Sequence, residues 1–173
     1  ACGRMLAAIG VRPGDRVAIW MTNRVDWAAA AYGTSRCGAV TVGVNTRLSA
    51  REVAHMLLLT RPRVWIAEAR FFGRGSAFEN IPAVLEAFAA AEVTPPQVLL
   101  LADDGLRVPG THDWHDTLEQ YAQAPALPPA AEMIARMASG EHASLAGAAV
   151  ILSTSGTTAA PKGVVLGHAG GLG

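Results

Sequence analysis

A run of hydroxyl, glycine and lysine residues near the end of the chain has the clearest potential for chemistry. It reads Ser-Thr-Ser-Gly-Thr-Thr-Ala-Ala-Pro-Lys-Gly from Ser153 to Gly163, between an apolar run at 148–152 and another at 164–166. This pattern predicts a strand, a polar loop and a second strand. Backbone N–H groups, hydroxyls and one ammonium group can converge on a polyanion in such a loop. Holding the phosphates of a nucleotide requires these groups.

Two well-known motifs do not match this loop. A Walker phosphate loop has glycine directly before its lysine and serine or threonine directly after it, whereas proline and glycine flank Lys162. A serine-hydrolase elbow needs Gly-x-Ser-x-Gly, but Ser153 and Thr157 occupy the two glycine positions around Ser155. An ordinary hairpin loop stays open as an alternative, although turns seldom need so many hydroxyl and glycine positions before Pro-Lys-Gly.

Composition restricts the kinds of partner. Of the 173 residues 51% are hydrophobic, and 14 basic side chains balance 14 acidic ones. A sizeable core can form, and no net charge favours nucleic acid or an anionic membrane. No apolar run approaches the roughly 20 residues that span a bilayer. Cys2 and Cys37 match neither a metal-binding spacing nor a disulfide framework, so we expect a reducing, cytoplasmic location without a transmembrane segment.

The elements that must position the loop alternate between apolar strands and helices. Ser49 and Glu52 form a capping box, and the helix that they open carries Val53, Met56, Leu57 and Leu59 on one side. The predicted strands are 16–21, 39–44, 64–67 and 98–102. Besides the helix that Ser49 opens, the predicted helices are 24–37, 81–91, 113–122 and 130–138, and Asn23 is predicted to cap the first of these. This order predicts an α/β three-layer sandwich with a mostly parallel sheet flanked by helices.

Both ends of the chain have the pattern of interrupted structure. The segment 4–8 resembles the end of a helix, and 169–173 follows a predicted strand without a closing element. We therefore expect residues 1–173 to be an incomplete part of a larger N-terminal domain, truncated at both ends.

The loop also resembles a known family signature. Thr154 to Gly163 reads Thr-Ser-Gly-Thr-Thr-x-x-Pro-Lys-Gly, and Val164–His168 continues it. This run is similar to the phosphate-binding signature of the adenylate-forming, or AMP-binding, superfamily, which includes acyl-CoA synthetases, adenylation domains of peptide synthetases and luciferases. Upstream segments resemble the family's N-terminal part in order and spacing, namely 10–18, Asn23, 38–40, 45–48 and Glu52.

The resemblance implies an ATP-dependent acid–thiol ligase that uses Mg²⁺ and CoA. The family joins a fatty or aryl carboxylic acid to the α-phosphate of ATP, releases pyrophosphate, and then forms the acyl-CoA thioester. Gly156 would let the backbone approach the phosphates, Lys162 would neutralise the β and γ oxygens, and Thr154 would contact Mg²⁺. The implied ATP-binding residues are Thr154, Ser155, Gly156, Thr157, Thr158 and Lys162.

The resemblance places no catalytic residue within the chain, because the family's magnesium-binding glutamate and catalytic lysine come later in its sequences. We therefore expect the isolated polypeptide not to form adenylates. Ala159 replaces a usual glycine, Ser153 a usual aromatic residue and Gly147 a frequent acidic residue. The alternatives are an adenylation domain that loads a carrier protein and a nucleotide-binding α/β domain whose altered loop no longer supports chemistry.

Other polar residues have simpler interpretations. His112 and His115, with nearby carboxylates, could contribute to a metal site. The alternative is a polar helix start with Asp or Thr as its cap and Trp114 packed beneath it. The remaining candidates are expected to be structural or simply solvated, namely Cys37, His55, the 61–63 segment and His168.

Overall fold

The computed structural model describes residues 1–71, 77–129, 131–132, 135, 148–154 and 162–167. Its helices are α1 (Cys2–Ala8), α2 (Val25–Arg36), α3 (Ala50–Thr60), α4 (Ala77–Ala90) and α5 (Trp114–Gln120). Its strands are β1 (Arg16–Trp20), β2 (Val40–Gly43), β3 (Val64–Glu68), β4 (Gln97–Leu101), β5 (Thr111–Asp113), β6 (Ala148–Thr154) and β7 (Lys162–Gly167).

The described strands form one sheet in the order β5-β4-β3-β1-β2-β6-β7. Neighbouring strands from β5 to β6 are parallel, and β7 is antiparallel to β6. Parallel strands need crossover connections, and helices supply these except between β4 and β5, which residues 102–110 join without a helix. The predicted mostly parallel α/β sheet is confirmed.

Helices cover both faces of the sheet, so three layers result. Alternate strand residues point to opposite faces. On one face Ala18, Val42 and Trp65 pack with α3 and α4 residues such as Met56 and Phe88. On the other face the intervening strand residues pack with apolar residues of α1, α2 and α5, and this set includes Met5, Leu6, Val17, Ile19, Ala30, Ile66, Leu99 and Trp114.

Two details of the predicted helices are wrong. Asn23 does not cap α2, because the N-cap is Arg24 and no side-chain capping bond is present there. Leu59 does not join the buried side of α3; its exposed fraction is 56%, whereas Val53, Met56 and Leu57 are buried. At about 100° per residue, Leu59 lies well around the helix from the centre of the buried set.

Other boundaries differ where the local signal is weak. α4 begins at Ala77, four residues before the predicted start, and it contains Pro82. β5 was not predicted as a strand, because three residues are too few to show alternation, and its pairing with β4 defines it. The predicted 130–138 helix lies largely outside the described residues. In the part of the chain that the structure describes, none of the helices combines the length and the apolar composition of a membrane span.

Candidate functional site

The β6–β7 hairpin forms the two sides of the predicted phosphate loop. Thr154 pairs with Lys162, and Ser153 pairs with Gly163. The first and last residues of the proposed ATP-binding set therefore lie directly across the hairpin from each other. The strand–loop–strand prediction is confirmed at its two strands. The connecting residues 155–161, which include Ser155, Gly156, Thr157, Thr158 and Ala159, lie outside the described residues, so their contacts stay predictions.

The hairpin opens at the carboxyl edge of the parallel strands. β6 lies beside β2, with Gly43 paired to Leu152. The connection after β1 leads to α2 on one face, whereas the connection after β2 leads to α3 on the opposite face. Such a divergence leaves a crevice at the carboxyl ends of the strands, where open α/β sheets bind ligands.

The structure has a groove at this crevice, which we call the switch-point groove. Its volume is about 510 Å³. It is uncharged and mixes amide, hydroxyl, indole and aliphatic side chains. Its lining residues are Met21, Thr22, Asn23, Trp27, Gly43, Val44, Asn45, Thr46 and Leu152. Leu152 belongs to β6, so the groove borders the strand that leads into the predicted phosphate loop.

A buried carboxylate at the end of β3 fixes one wall of the groove. Glu68 is only 7% exposed. Its Oε2 accepts hydrogen bonds from the backbone N–H and from the hydroxyl of Thr22, both at 2.7 Å. A charged acceptor with two short bonds to one residue restrains the β1–α2 connection strongly.

Arg24 extends this restraint to the turn after β4. Its guanidinium contacts Asp26 at 2.8 Å, Glu68 at 3.2 Å and Asp103 at 2.9 Å. The hydrogen bond to Asp103 is the largest cause of the raised pKa of Arg24, and the same bond lowers the pKa of Asp103. Sequence reasoning missed this network, because Arg24 and its partners Glu68 and Asp103 are 44 and 79 positions apart.

The β2–α3 connection forms the other wall and is equally well defined. The carbonyl of Asn45 accepts the Leu48 N–H at 3.1 Å and the indole N–H of buried Trp20 at 3.2 Å. Ser49 then caps α3, and Glu52 accepts from the Ser49 N–H at 2.8 Å and from its hydroxyl at 2.7 Å. These bonds lower the pKa of Glu52 and confirm the predicted capping box.

The histidine pair does not build a metal site with the parts of the chain that are described, where no group of three or more potential ligands is suitably placed. Asp113 caps α5 by accepting the Asp116 N–H at 2.9 Å. Trp114 is fully buried beneath that helix start. The predicted structural alternative, a capped helix start over Trp114, is therefore confirmed.

The remaining candidates have ordinary positions. Burial raises the pKa of Cys2 to about 12 and that of Cys37 to about 11, so both side chains are neutral thiols. Only the thiolate is a strong nucleophile, and these cysteines are structural. His55 is exposed on α3. His168 lies outside the described part of the chain.

A family model matches nearly the whole chain. The model described as "AMP-binding enzyme" matches residues 1–172. The chain belongs to the AMP-binding enzyme family. The resemblance that the Thr154–Gly163 signature indicated is confirmed.

Curated relatives of this AMP-binding chain are acyl-CoA ligases. It is 35% identical over 170 residues to the long-chain-fatty-acid–CoA ligase FadD13 of Mycobacterium tuberculosis, a match that covers 96% of this chain and 27% of the relative. It is 32% identical to the putative acyl-CoA synthetase YngI of Bacillus subtilis, covering 94% of this chain and 30% of the relative. The chain thus spans less than a third of the length of either.

Solved structures of AMP-binding enzymes have the same fold. The N-terminal domain of FACL13 from Mycobacterium tuberculosis, solved with an inhibitor bound, is 30% identical with a TM-score of 0.59, covering 96% of this chain and 34% of that one. The anthranilate CoA ligase AuaEII, in complex with anthranoyl-AMP, is 22% identical with a TM-score of 0.70, covering 96% and 27%. The second likeness concerns the fold alone.

Proposed function

We propose that residues 1–173 are the N-terminal part of an AMP-forming acyl-CoA ligase, and that the sequence and fold continue beyond both ends. The complete enzyme activates a carboxylic acid as its acyl-adenylate, releases pyrophosphate, and transfers the acyl group to CoA. One observation carries the proposal above all. The β6–β7 hairpin sets Thr154 opposite Lys162 at the ligand-binding edge of the sheet, with the family's phosphate signature between them.

The loop acts on the phosphates by charge and position rather than by covalent chemistry. The carboxylate oxygen of the acid attacks the α-phosphorus, and the bond from that phosphorus to the bridging oxygen breaks, so pyrophosphate leaves with the extra negative charge. Groups that are already aimed at this charge lower the barrier without reorganising. We propose that the ammonium of Lys162 neutralises this negative charge. Ser155, Gly156, Thr157 and Thr158 then donate hydrogen bonds to the phosphate oxygens.

We assign Mg²⁺ to the same end of the hairpin, with Thr154 as its protein ligand. Magnesium binds oxygen ligands and keeps several waters and phosphate oxygens, so it does not need an all-protein cage. The hydroxyl of Thr154 is an oxygen donor of this kind. When bound with ATP, the ion supplies positive charge beside the phosphates.

The acid is proposed to be fatty or aromatic. Relatives named for long-chain fatty acids support the fatty-acid part of this class. The aromatic part rests on the resemblance to the family. Buried free thiols at Cys2 and Cys37 suit a reducing compartment, so we propose a cytoplasmic enzyme.

Acid-dependent exchange of labelled pyrophosphate into ATP tests the proposal in the full-length protein. Lys162→Ala removes the cation assigned to the leaving group, and we expect the exchange rate to fall about 100–1,000-fold. Arg51→Ala removes one positive charge from a groove that Arg51 lines with Ala83 and Ala87 of α4, and is expected to retain the rate. Equal rates for wild type and Lys162→Ala would contradict the assignment of Lys162. No acid-dependent exchange in the wild type would contradict the function.

A further inference from the structure

The β2–α3 connection lies next to the strand that leads into the phosphate loop. Gly43, the last residue of β2, pairs with Leu152 of β6. β6 then continues to Thr154, while the neighbouring chain continues through Val44 and Asn45 at the same edge of the sheet. Asn45 and Leu152 line the switch-point groove together. Arg47 follows two residues after Asn45, so this connection carries a cation to the phosphate end of the sheet.

The connection that bears Arg47 is held in one conformation. The backbone N–H of Arg47 donates to Oδ1 of Asn45 at 2.9 Å. The Asn45 carbonyl accepts from Leu48 and from the Trp20 indole, and Trp20 is almost fully buried. Such anchoring limits the entropy lost when a mobile side chain binds a ligand, because its backbone is already fixed.

The guanidinium of Arg47 has no partner among the residues that the structure describes. It is exposed, and it forms neither an ion pair nor a side-chain hydrogen bond with any of them. The nearest acid along the chain is Glu52, which is committed to Ser49 in the capping box. By contrast, Arg24 and Arg107 each pair with more than one carboxylate. Arg47 is therefore available to an anion.

The predicted phosphate loop carries one cationic side chain. Lys162 is the only lysine in the chain. Pyrophosphate is a polyanion, and phosphoryl chemistry depends on several cationic groups around the transferred and leaving oxygens. An ammonium is a point charge, whereas a guanidinium binds two phosphate oxygens at once, so the two side chains complement each other.

We propose that Arg47 binds the terminal phosphates of ATP, and then the leaving pyrophosphate, as a second cation beside Lys162. This inference rests on the proposed function and adds a binding residue to it. The ligand chemistry is a phosphate group. Because CoA also carries phosphates, the experiment separates the adenylation step, which proceeds without CoA, from the thioester step.

The test compares Arg47→Ala, Arg47→Lys and the control Arg51→Ala in the full-length protein. Arg51 is also exposed, lies in the first turn of α3 four residues after Arg47, lines a groove with Ala83 and Ala87 of α4 and carries the same charge, so it controls for the lost charge itself. The readouts are KM for ATP and for pyrophosphate in acid-dependent exchange, KM for CoA in thioester formation, and the Kd for Mg·ATP by calorimetry. Thermal unfolding of each variant confirms that it is folded.

We expect Arg47→Ala to raise both KM values and the Kd roughly 10–100-fold, the range for a lost charged hydrogen bond. Arg47→Lys should restore part of this loss, and Arg51→Ala should stay within about twofold of wild type. Equal KM values for Arg47→Ala and Arg51→Ala would overturn the inference while leaving the function intact. A change confined to KM for CoA would also overturn it. A wild-type protein that neither binds Mg·ATP nor exchanges pyrophosphate would overturn both.

Discussion

Arg61 has a left-handed backbone conformation that favours glycine. It ends α3 in the left-handed region, with φ of 45°. An L-residue costs roughly 1–2 kcal/mol there, and glycine is the usual residue at this position. The guanidinium of Arg16 donates a hydrogen bond at 2.9 Å to the backbone carbonyl of Arg61. Glycine at this position has the same carbonyl, so this hydrogen bond is kept.

We therefore expect Arg61→Gly to raise the free energy of unfolding by up to about 1 kcal/mol. Denaturant titration measures it. Arg63→Gly is the control, because Arg63 lacks the positive φ; glycine there adds freedom to the unfolded chain and removes the 4.0 Å contact with Asp15, so we expect it to lower the free energy of unfolding. A lower free energy of unfolding for Arg61→Gly would contradict the strain argument.

Ala159 tests whether the loop retains its affinity for nucleotide. The family usually has glycine at this position, and an alanine at a position that needs positive φ costs about 1 kcal/mol. We expect Ala159→Gly to lower the Kd for Mg·ATP about fivefold, measured by calorimetry on the full-length protein. Ala160→Gly should not improve binding. Weaker binding by Ala159→Gly would show that the loop tolerates alanine without strain.

Asp103 ties stability to pH. Its hydrogen bond from Arg24 lowers the pKa of Asp103 in the folded protein. A lowered carboxyl pKa stabilises the fold above the unfolded-state value of about 3.9 and loses this contribution as pH falls through the folded value.

Asp103→Asn should thus reduce the loss of stability that wild type shows between about pH 4 and pH 2. Because the Asp103 side chain is 66% exposed, the effect is small. Thermal unfolding across this range measures it, with Glu119→Gln as the control. An equal loss of stability between about pH 4 and pH 2 in Asp103→Asn and wild type would contradict the role of this ion pair.

At the scale of elements, local signals predicted what local contacts determine. The Ser49–Glu52 capping box and the two strands of the hairpin were readable because their partners are close in sequence. Asn23 was wrong as a cap because several residues near a helix start can serve, and only the backbone path selects among them. β5 was missed because its pairing with β4 defines it.

β7 is the last strand of the described sheet and carries exposed apolar side chains. Val164, Val165 and Leu166 are 40%, 54% and 45% exposed. An apolar strand with a free edge is a template for pairing with another chain.

We expect the isolated 173-residue polypeptide to self-associate in a concentration-dependent manner, measured by light scattering. Val165→Lys should reduce this association, and Tyr32→Lys at an exposed position of α2 should reduce it less. A wild-type polypeptide that stays monomeric at all concentrations would contradict the role of this edge.

At the scale of the whole molecule, the sheet brings distant residues to one edge. The sequence predicted the α/β class and the phosphate signature, because alternating elements and a contiguous motif are both local patterns. It did not predict the Glu68–Arg24–Asp103 network or the position of the β2–α3 connection beside β6. Both depend on the strand order, in which β1 lies between β3 and β2, and β6 lies beyond β2.

Direct detection of the acyl-adenylate tests the central claim most closely. The full-length protein is incubated with Mg·ATP and a fatty or aryl acid in the absence of CoA, and the products are identified by mass spectrometry. We predict that wild type forms acyl-AMP and pyrophosphate in equal amounts, and that adding CoA converts the adenylate to acyl-CoA and AMP. Lys162→Ala should form both acyl-AMP and pyrophosphate more slowly than wild type. Formation of ADP and phosphate, or of acyl-CoA without any adenylate or AMP, would contradict the account.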